Sequence, residues 1–266
     1  MQLPKIGIGT WELQGDACTK IVQEALAIGY RHIDTAHMYE NHSAIAKALK
    51  GVDRSSVYLT SKIALEDEVN PNKIEESVQM ACDRALKELE SDYLDLYLIH
   101  APDRTFPLEE IFMSMQKLSG QGKIRKAGVS NYTIHHLQDM QKAGLTPFAN
   151  QVEIHPYLAQ EELVRYCQAH KIDVIAYRPF GKGKLLSEEP LFNQIGSKHG
   201  KSGAQVALRW VIQRGLNVIP KGSSRQHLSE NFAIFDFALT EDEMHALNQL
   251  DRGKRFCRTE DTEFNY

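Results

Sequence analysis

Asp34 ends the run Tyr30–Asp34, Lys62 ends Val57–Lys62 and His100 ends Leu94–His100, while Tyr39 follows Asp34 in the next connection. Apolar runs with ionisable groups only at their carboxyl ends are how a barrel of parallel strands holds chemistry on one face. An acid, a carboxylate–ammonium pair and an imidazole together can reduce a carbonyl. Hydride added to a carbonyl carbon leaves negative charge on oxygen, so a proton donor must stand there as the charge develops. Tyr39 is the candidate donor, but a free phenol has a pKa of about 10, high for an acid at neutral pH. A nearby ammonium favours the phenolate and lowers that value. Lys62 is the candidate ammonium, Asp34 the carboxylate that keeps it charged and oriented, and His100 the group that directs the substrate oxygen.

Taken singly, each residue has a plainer explanation: Tyr39 as a loop aromatic, Asp34 as a helix cap, Lys62 as a solvated strand end, His100 as a satisfied core histidine. All four would then have to reach one barrel rim by accident.

The elements that must position them are short apolar runs alternating with segments of helical period. Strands are expected at Ile6–Gly9, Tyr30–Asp34, Val57–Lys62, Leu94–His100, Arg125–Ser130, Phe148–Glu153, Asp173–Tyr177 and Asn217–Lys221. Their centres are continuous and branched, as in parallel strands covered on both faces. Helices are expected at Thr19–Ile28 (ending at Gly29), Pro71–Leu89 (capped by Asn70), Pro107–Leu118, Thr133–Lys142, Gln160–Ala169, Ala204–Gln213, His227–Phe235 and Glu241–Leu250. The last carries a capping box, Thr240 and Glu243. Eight such pairs over residues 1–266 imply one α/β domain, a (β/α)8 TIM barrel. Gly181–Pro190 reads as a polar connection, and the tail after Leu250 runs basic through Arg258, then acidic. A doubly wound open sheet would carry a glycine-rich fingerprint after its first strand; Gly7-Ile8-Gly9 has no third glycine and no strand before it.

Composition fits this reading. Hydrophobic residues make up 42% and charged residues 25%, enough for a packed core. With 31 basic and 35 acidic residues the net charge is −4, without the basic excess that nucleic-acid binding needs. The four cysteines are scattered, in neither CxxC nor zinc spacing, as expected of a reducing cytoplasm. No signal peptide and no membrane span are expected, since no long apolar stretch occurs.

The segment Gly29–Asn41, GYRHIDTAHMYEN, resembles the first signature of the aldo-keto reductases. Leu94–His100, Gly128–Tyr132, Asn150–Tyr157 and Ile219–Ser223 resemble later signatures of that family. The resemblance runs in order from Ile6 to about Asp251, one motif per strand end, and looks most like the bacterial 2,5-diketo-D-gluconate reductases. It implies the roles already given for Asp34, Tyr39, Lys62 and His100, and a nicotinamide cofactor. By resemblance, Ser130, Asn131 and Gln151 hold the carboxamide and Tyr177 stacks on the nicotinamide. Pro179, Phe180 and Gly181 lie along the pyrophosphate, Lys221, Ser223, Ser224 and Arg225 surround the adenosine ribose, and Asn231 reaches the adenine. Lys221 with Arg225 suits a 2′-phosphate, hence NADPH, with NADH possible. Trp11 is expected as a pocket wall.

The chain also departs from the pattern. Ala64 and Ala101 stand where tryptophans are common, which widens the substrate mouth. His42 follows Asn41 in place of glutamate, Arg178 replaces a serine beside the pyrophosphate, and His227 takes the place of an adenosine-phosphate arginine. The amino-terminal hairpin that often plugs the barrel is missing, and Glu153 and His155 read as structural. The expectation is a monomeric, NADPH-dependent reductase of small polar aldehydes or ketones, with Arg104 as a partner for an anionic substrate. A nicotinamide-binding subunit without catalysis, and an NAD-dependent alcohol dehydrogenase, are the alternatives.

Overall fold

The computed structural model describes residues 2–257 and 260–266. Among these lie eight strands: β1 (Ile8–Gly9), β2 (His32–Asp34), β3 (Tyr58–Ile63), β4 (Leu94–Ile99), β5 (Ile124–Ser130), β6 (Ala149–Glu153), β7 (Asp173–Tyr177) and β8 (Asn217–Ile219). They pair in parallel, in chain order. The ring closes where Ile6 bridges Val218 and the Gly9 N–H donates to Pro220 O at 3.1 Å. The helices are α1 (Gly15–Ile28), α2 (His42–Leu49), α3 (Leu65–Glu68), α4 (Ile74–Glu88), α5 (Leu108–Gly120), α6 (Ile134–Lys142), α7 (Glu161–Ala169), α8 (Lys184–Glu188), α9 (Leu191–His199), α10 (Gly203–Gln213), α11 (Arg225–Phe232) and α12 (Glu241–Asn248). The chain forms the expected (β/α)8 barrel. No helix among the described residues is long and apolar enough to cross a membrane.

Successive strand side chains point to opposite faces, and here the two faces bury different things. The outward face joins a large cluster with the helices, including Leu59, Ile63, Tyr97, Ile99 and Trp210. The inward face packs Tyr58, Leu96, Leu98, Ala149, Ile175 and Ile219 into a second cluster. Leu3 of the amino-terminal segment joins that inner cluster. On β3 the alternation decides the site. Ser61 faces out, its hydroxyl 3.0 Å from Nε2 of His42 on α2, whereas Lys62 faces in.

Strand limits agree with the sequence to within two residues, but several helices do not. The expected helix start at Pro71 fails because Asn70 is consumed in a turn, its Oδ1 accepting the Asn72 N–H at 2.9 Å; α4 begins only at Ile74. The polar connection Gly181–Pro190 is mostly helical, a 3-10 turn at Gly181–Gly183 leading into α8. The helices α2, α3 and α9 have no counterpart among the expected helices. Helix α11 starts at Arg225 rather than His227, because Ser224 Oγ caps it by accepting the His227 N–H at 3.2 Å. The Thr240–Glu243 capping box forms, each side chain bonding the other's backbone N–H.

Candidate active site

The inner column of β3 turns from apolar to charged at its carboxyl end, and Lys62 closes it. Its ammonium is fully enclosed. Nζ donates to Asp34 Oδ1 at 2.5 Å, to Thr35 O at 2.9 Å and to Tyr39 Oη at 3.4 Å. A buried ammonium demands such partners, since an uncompensated charge out of water is costly. Burial alone would lower the Lys62 pKa, but Asp34 and Tyr39 more than offset it and hold the lysine charged. The other Asp34 oxygen accepts from Gln151 Nε2 at 2.6 Å.

Tyr39 sits in a 3-10 turn, His37–Tyr39, after β2. That turn is fixed by Asn41, whose Oδ1 accepts from Thr35 Oγ1 (2.6 Å) while Nδ2 donates to Thr10 O and Leu13 O (3.0 Å each). Gln14 adds a bond to the Tyr39 carbonyl at 2.6 Å. The Tyr39 ring lies edge-on to Trp11 on one side (4.8 Å) and to His100 on the other (5.6 Å). Trp11 is 38% exposed, so it is not part of the core. Ala64 and Ala101 flank Lys62 and His100 without bulk.

Lys62 lowers the Tyr39 pKa as expected, but the net shift is upward. Burial pushes its pKa above the usual phenol value, while Lys62 pulls the other way without prevailing.

The remaining expected residues ring the same rim. Ser130 ends β5 and Asn131 follows in the left-handed region, φ 64°. They are wired together: Ser130 Oγ donates to Gln151 O (2.8 Å), Asn131 Nδ2 to His100 O (3.0 Å), and Tyr177 Oη to Asn131 Oδ1 (2.7 Å). Pro179, Phe180 and Gly181 follow β7. A Cβ on Gly181 would come 2.2 Å from Leu185 Cδ1 and 2.6 Å from the Phe256 ring, so only glycine fits there. Lys221, Ser223, Ser224 and Arg225 lead from β8 into α11, where Asn231 is buried. His227 pairs with Ser223 (3.2 Å). Among the described residues no group of His, Cys, Asp and Glu could hold a metal.

Four features were not legible in the sequence. The tail is anchored by buried Glu153, whose oxygens accept the N–H groups of Phe256 (2.8 Å) and Cys257 (3.0 Å). This brings the Cys257 side chain close to Tyr177. Arg258 of the basic run lies outside the described residues. Arg104, expected to meet an anionic substrate, has partners within the chain: it donates to Glu263 Oε2 (2.8 Å) and stacks on Tyr266 (3.8 Å). Lys221 is paired with Glu12 at 2.8 Å. A cavity of about 540 Å³ between α6, α7 and the tail has Asn131 in its lining.

Comparison with known proteins decides the identity of this arrangement. Residues 5–252 match the Aldo/keto reductase family. The chain belongs to the aldo/keto reductase family. It is 39% identical to the glyoxal reductase of Bacillus subtilis (strain 168), over 96% of this chain and 91% of that protein. It is 36% identical to the methylglyoxal reductase DkgA of Escherichia coli (strain K12), over 95% and 91%. A crystal structure of an aldo/keto reductase from Brucella melitensis superimposes with TM-score 0.86 at 39% identity, covering 94% of this chain and 95% of that one. A putative 2,5-diketo-D-gluconic acid reductase B superimposes with TM-score 0.87 at 34% identity, covering 95% and 90%. This aldo-keto reductase is thus an NAD(P)H-dependent oxidoreductase, and its relatives support carbonyl reduction with a small-molecule substrate.

Proposed function

We propose that this aldo-keto reductase reduces small polar aldehydes and ketones with NADPH, and that Tyr39 gives the proton. The observation that carries the reading is the Lys62 ammonium held between Asp34 (2.5 Å) and the Tyr39 hydroxyl (3.4 Å). His100 faces the same tyrosine ring. Asp34 and Lys62 cancel each other's charge in a dry site, and Lys62 stabilises the phenolate left when Tyr39 has given its proton. His100 orients the substrate oxygen. The names of the glyoxal and methylglyoxal reductases point to small dicarbonyls, and the missing bulk at Ala64 and Ala101 suits substrates with polar arms.

The residues present fit a nicotinamide dinucleotide, which when bound supplies the hydride. Ser130 and Asn131 offer a hydroxyl and an amide for its carboxamide, and Gln151, its amide spent on Asp34, offers a carbonyl oxygen. Tyr177 would back the nicotinamide ring. Pro179, Phe180 and Gly181 give a close backbone approach for the pyrophosphate. Lys221 and Arg225 favour a 2′-phosphate, Ser223 and Ser224 the ribose, and Asn231 the adenine. The whole chain acts as one barrel unit, a monomer without nucleic-acid partners.

The test is the oxidation of NADPH and of NADH with methylglyoxal and with a diketo sugar acid, for the wild type and Tyr39→Phe. NADPH-dependent turnover that disappears in the variant supports the reading. Equal turnover in both proteins would remove Tyr39 from its role.

A further inference from the structure

Glu12 stands in the loop between β1 and α1 with a left-handed backbone, φ 61°, a conformation non-glycine residues seldom adopt. Its carboxylate is 66% exposed, yet it is not a free surface charge. Oε2 lies 2.8 Å from Nζ of Lys221, which leaves β8. The Lys221 hydrogen bond holds its carboxyl below the usual glutamate value, and Arg178 and Lys182, from the connection after β7, act in the same direction. One carboxylate is therefore paired with Lys221, to which the 2′-phosphate is assigned above, and feels the more distant cations of a second strand end.

The loop does not depend on that ion pair for its shape. Asn41 holds Thr10 O and Leu13 O, Gln14 reaches the Tyr39 carbonyl, and the Trp11 ring packs on Tyr39. Glu12 can thus lose its charge without releasing the loop or the catalytic turn.

We propose that Glu12 is a specificity-determining residue for the cofactor, a resident anion that occupies Lys221 and must be displaced by a 2′-phosphate. A phosphomonoester brings more negative charge to Lys221 than the carboxylate it replaces, so displacement is favourable, but only the difference between the two partners is gained. A dinucleotide without the 2′-phosphate leaves the Glu12–Lys221 pair in place. Glu12 therefore narrows the preference for NADPH over NADH. The inference rests on the proposal that Lys221 takes the 2′-phosphate.

Calorimetric titration with 2′,5′-ADP and with 5′-AMP tests it in the wild type, Glu12→Gln and Lys221→Ala. In Glu12→Gln, 2′,5′-ADP should bind about two- to fivefold more tightly, the range within which exposed ion pairs act. Binding of 5′-AMP should be unchanged, and the gain should fade at high salt. Unchanged or weaker binding of 2′,5′-ADP in Glu12→Gln, or equal tightening of both ligands, overturns the proposal while Lys221→Ala still loses 2′,5′-ADP selectively. If Lys221→Ala also leaves 2′,5′-ADP binding unchanged, the assignment of Lys221 fails and the proposal fails with it.

Discussion

A phenol donates a proton only while it holds one, and around Tyr39 burial and a cation act in opposite senses. Burial raises its pKa above the ordinary value and Lys62 lowers it, with burial the larger effect. Reduction should accordingly hold its rate through neutral pH and decline only at alkaline pH, where the phenol ionises. Lys62→Gln removes the group that favours the phenolate, so the Tyr39 pKa rises and the alkaline decline in kcat moves to higher pH; a move toward neutrality would contradict this. Tyr39→Phe should cost roughly 10²–10⁴-fold in kcat with dinucleotide affinity unchanged, as titration of the variant would show. Lys62→Met has a further consequence, because it leaves Asp34 charged and buried. Denaturant melts should show a loss of about 3–5 kcal/mol, the usual result of breaking a buried ion pair from one side.

Above the single residue, the element with most consequence is the carboxyl-terminal tail, tied to α6 by interlocking contacts. Glu263 accepts from Arg104 (2.8 Å) and lies 2.9 Å from His136 Nε2. Thr133 Oγ1 donates to Tyr266 O at 2.7 Å, and the Tyr266 hydroxyl donates to Asp139. Burial would raise the Glu263 carboxyl, but Arg104 and His136 outweigh it and hold it below 4.5. A folded value below the unfolded one means that this stabilisation is complete above pH 4.5 and is lost as pH falls through the lower folded value. His136 acts in the same sense: burial lowers its pKa against the pull of Glu263, so acid must charge a ring the fold prefers neutral. Hydrogen exchange should show residues 260–266 opening before the barrel as pH is lowered. Glu263→Gln should raise their exchange at neutral pH roughly tenfold, the effect of weakening a charge-assisted bond. Equal protection of the tail in that variant would show that Tyr266 alone holds it.

For the molecule as a whole, the barrel was legible because parallel strands buried on both faces leave continuous branched runs, and their carboxyl ends carry the polar residues of the rim. Helix α2 was not: it is only eight residues long, and Asn41 before it spends its side chain on Thr35, Thr10 and Leu13 instead of capping it. The ties of Glu153 to Phe256 and of Glu12 to Lys221 join residues far apart in the chain, and no local pattern announces them. The net direction of the Tyr39 pKa depends on enclosure, which residue types alone do not give. The seam that closes the ring is equally hidden in Gly7. Its N–H donates to Val218 O at 2.9 Å, and a Cβ there would meet Nδ1 of His32 at 2.6 Å. The His32 ring is held, with Nε2 3.0 Å from Thr60 Oγ1 and its face edge-on to Tyr58 at 5.2 Å. Gly7→Ala must therefore shift backbone, prising the first strand from β8 just below the rim. Overpacking of this kind costs about 1–3 kcal/mol, and near 2–4 °C per kcal/mol the melting temperature should fall by roughly 3–10 °C. Gly120→Ala, at the end of α5 with nothing within 4 Å of its Cβ, should not lower it. Adding His32→Ala to Gly7→Ala removes the obstructing ring, so the double variant should be more stable than the two separate losses predict, a non-additivity that marks direct contact. Strict additivity in the melts would mean that the seam yields elsewhere.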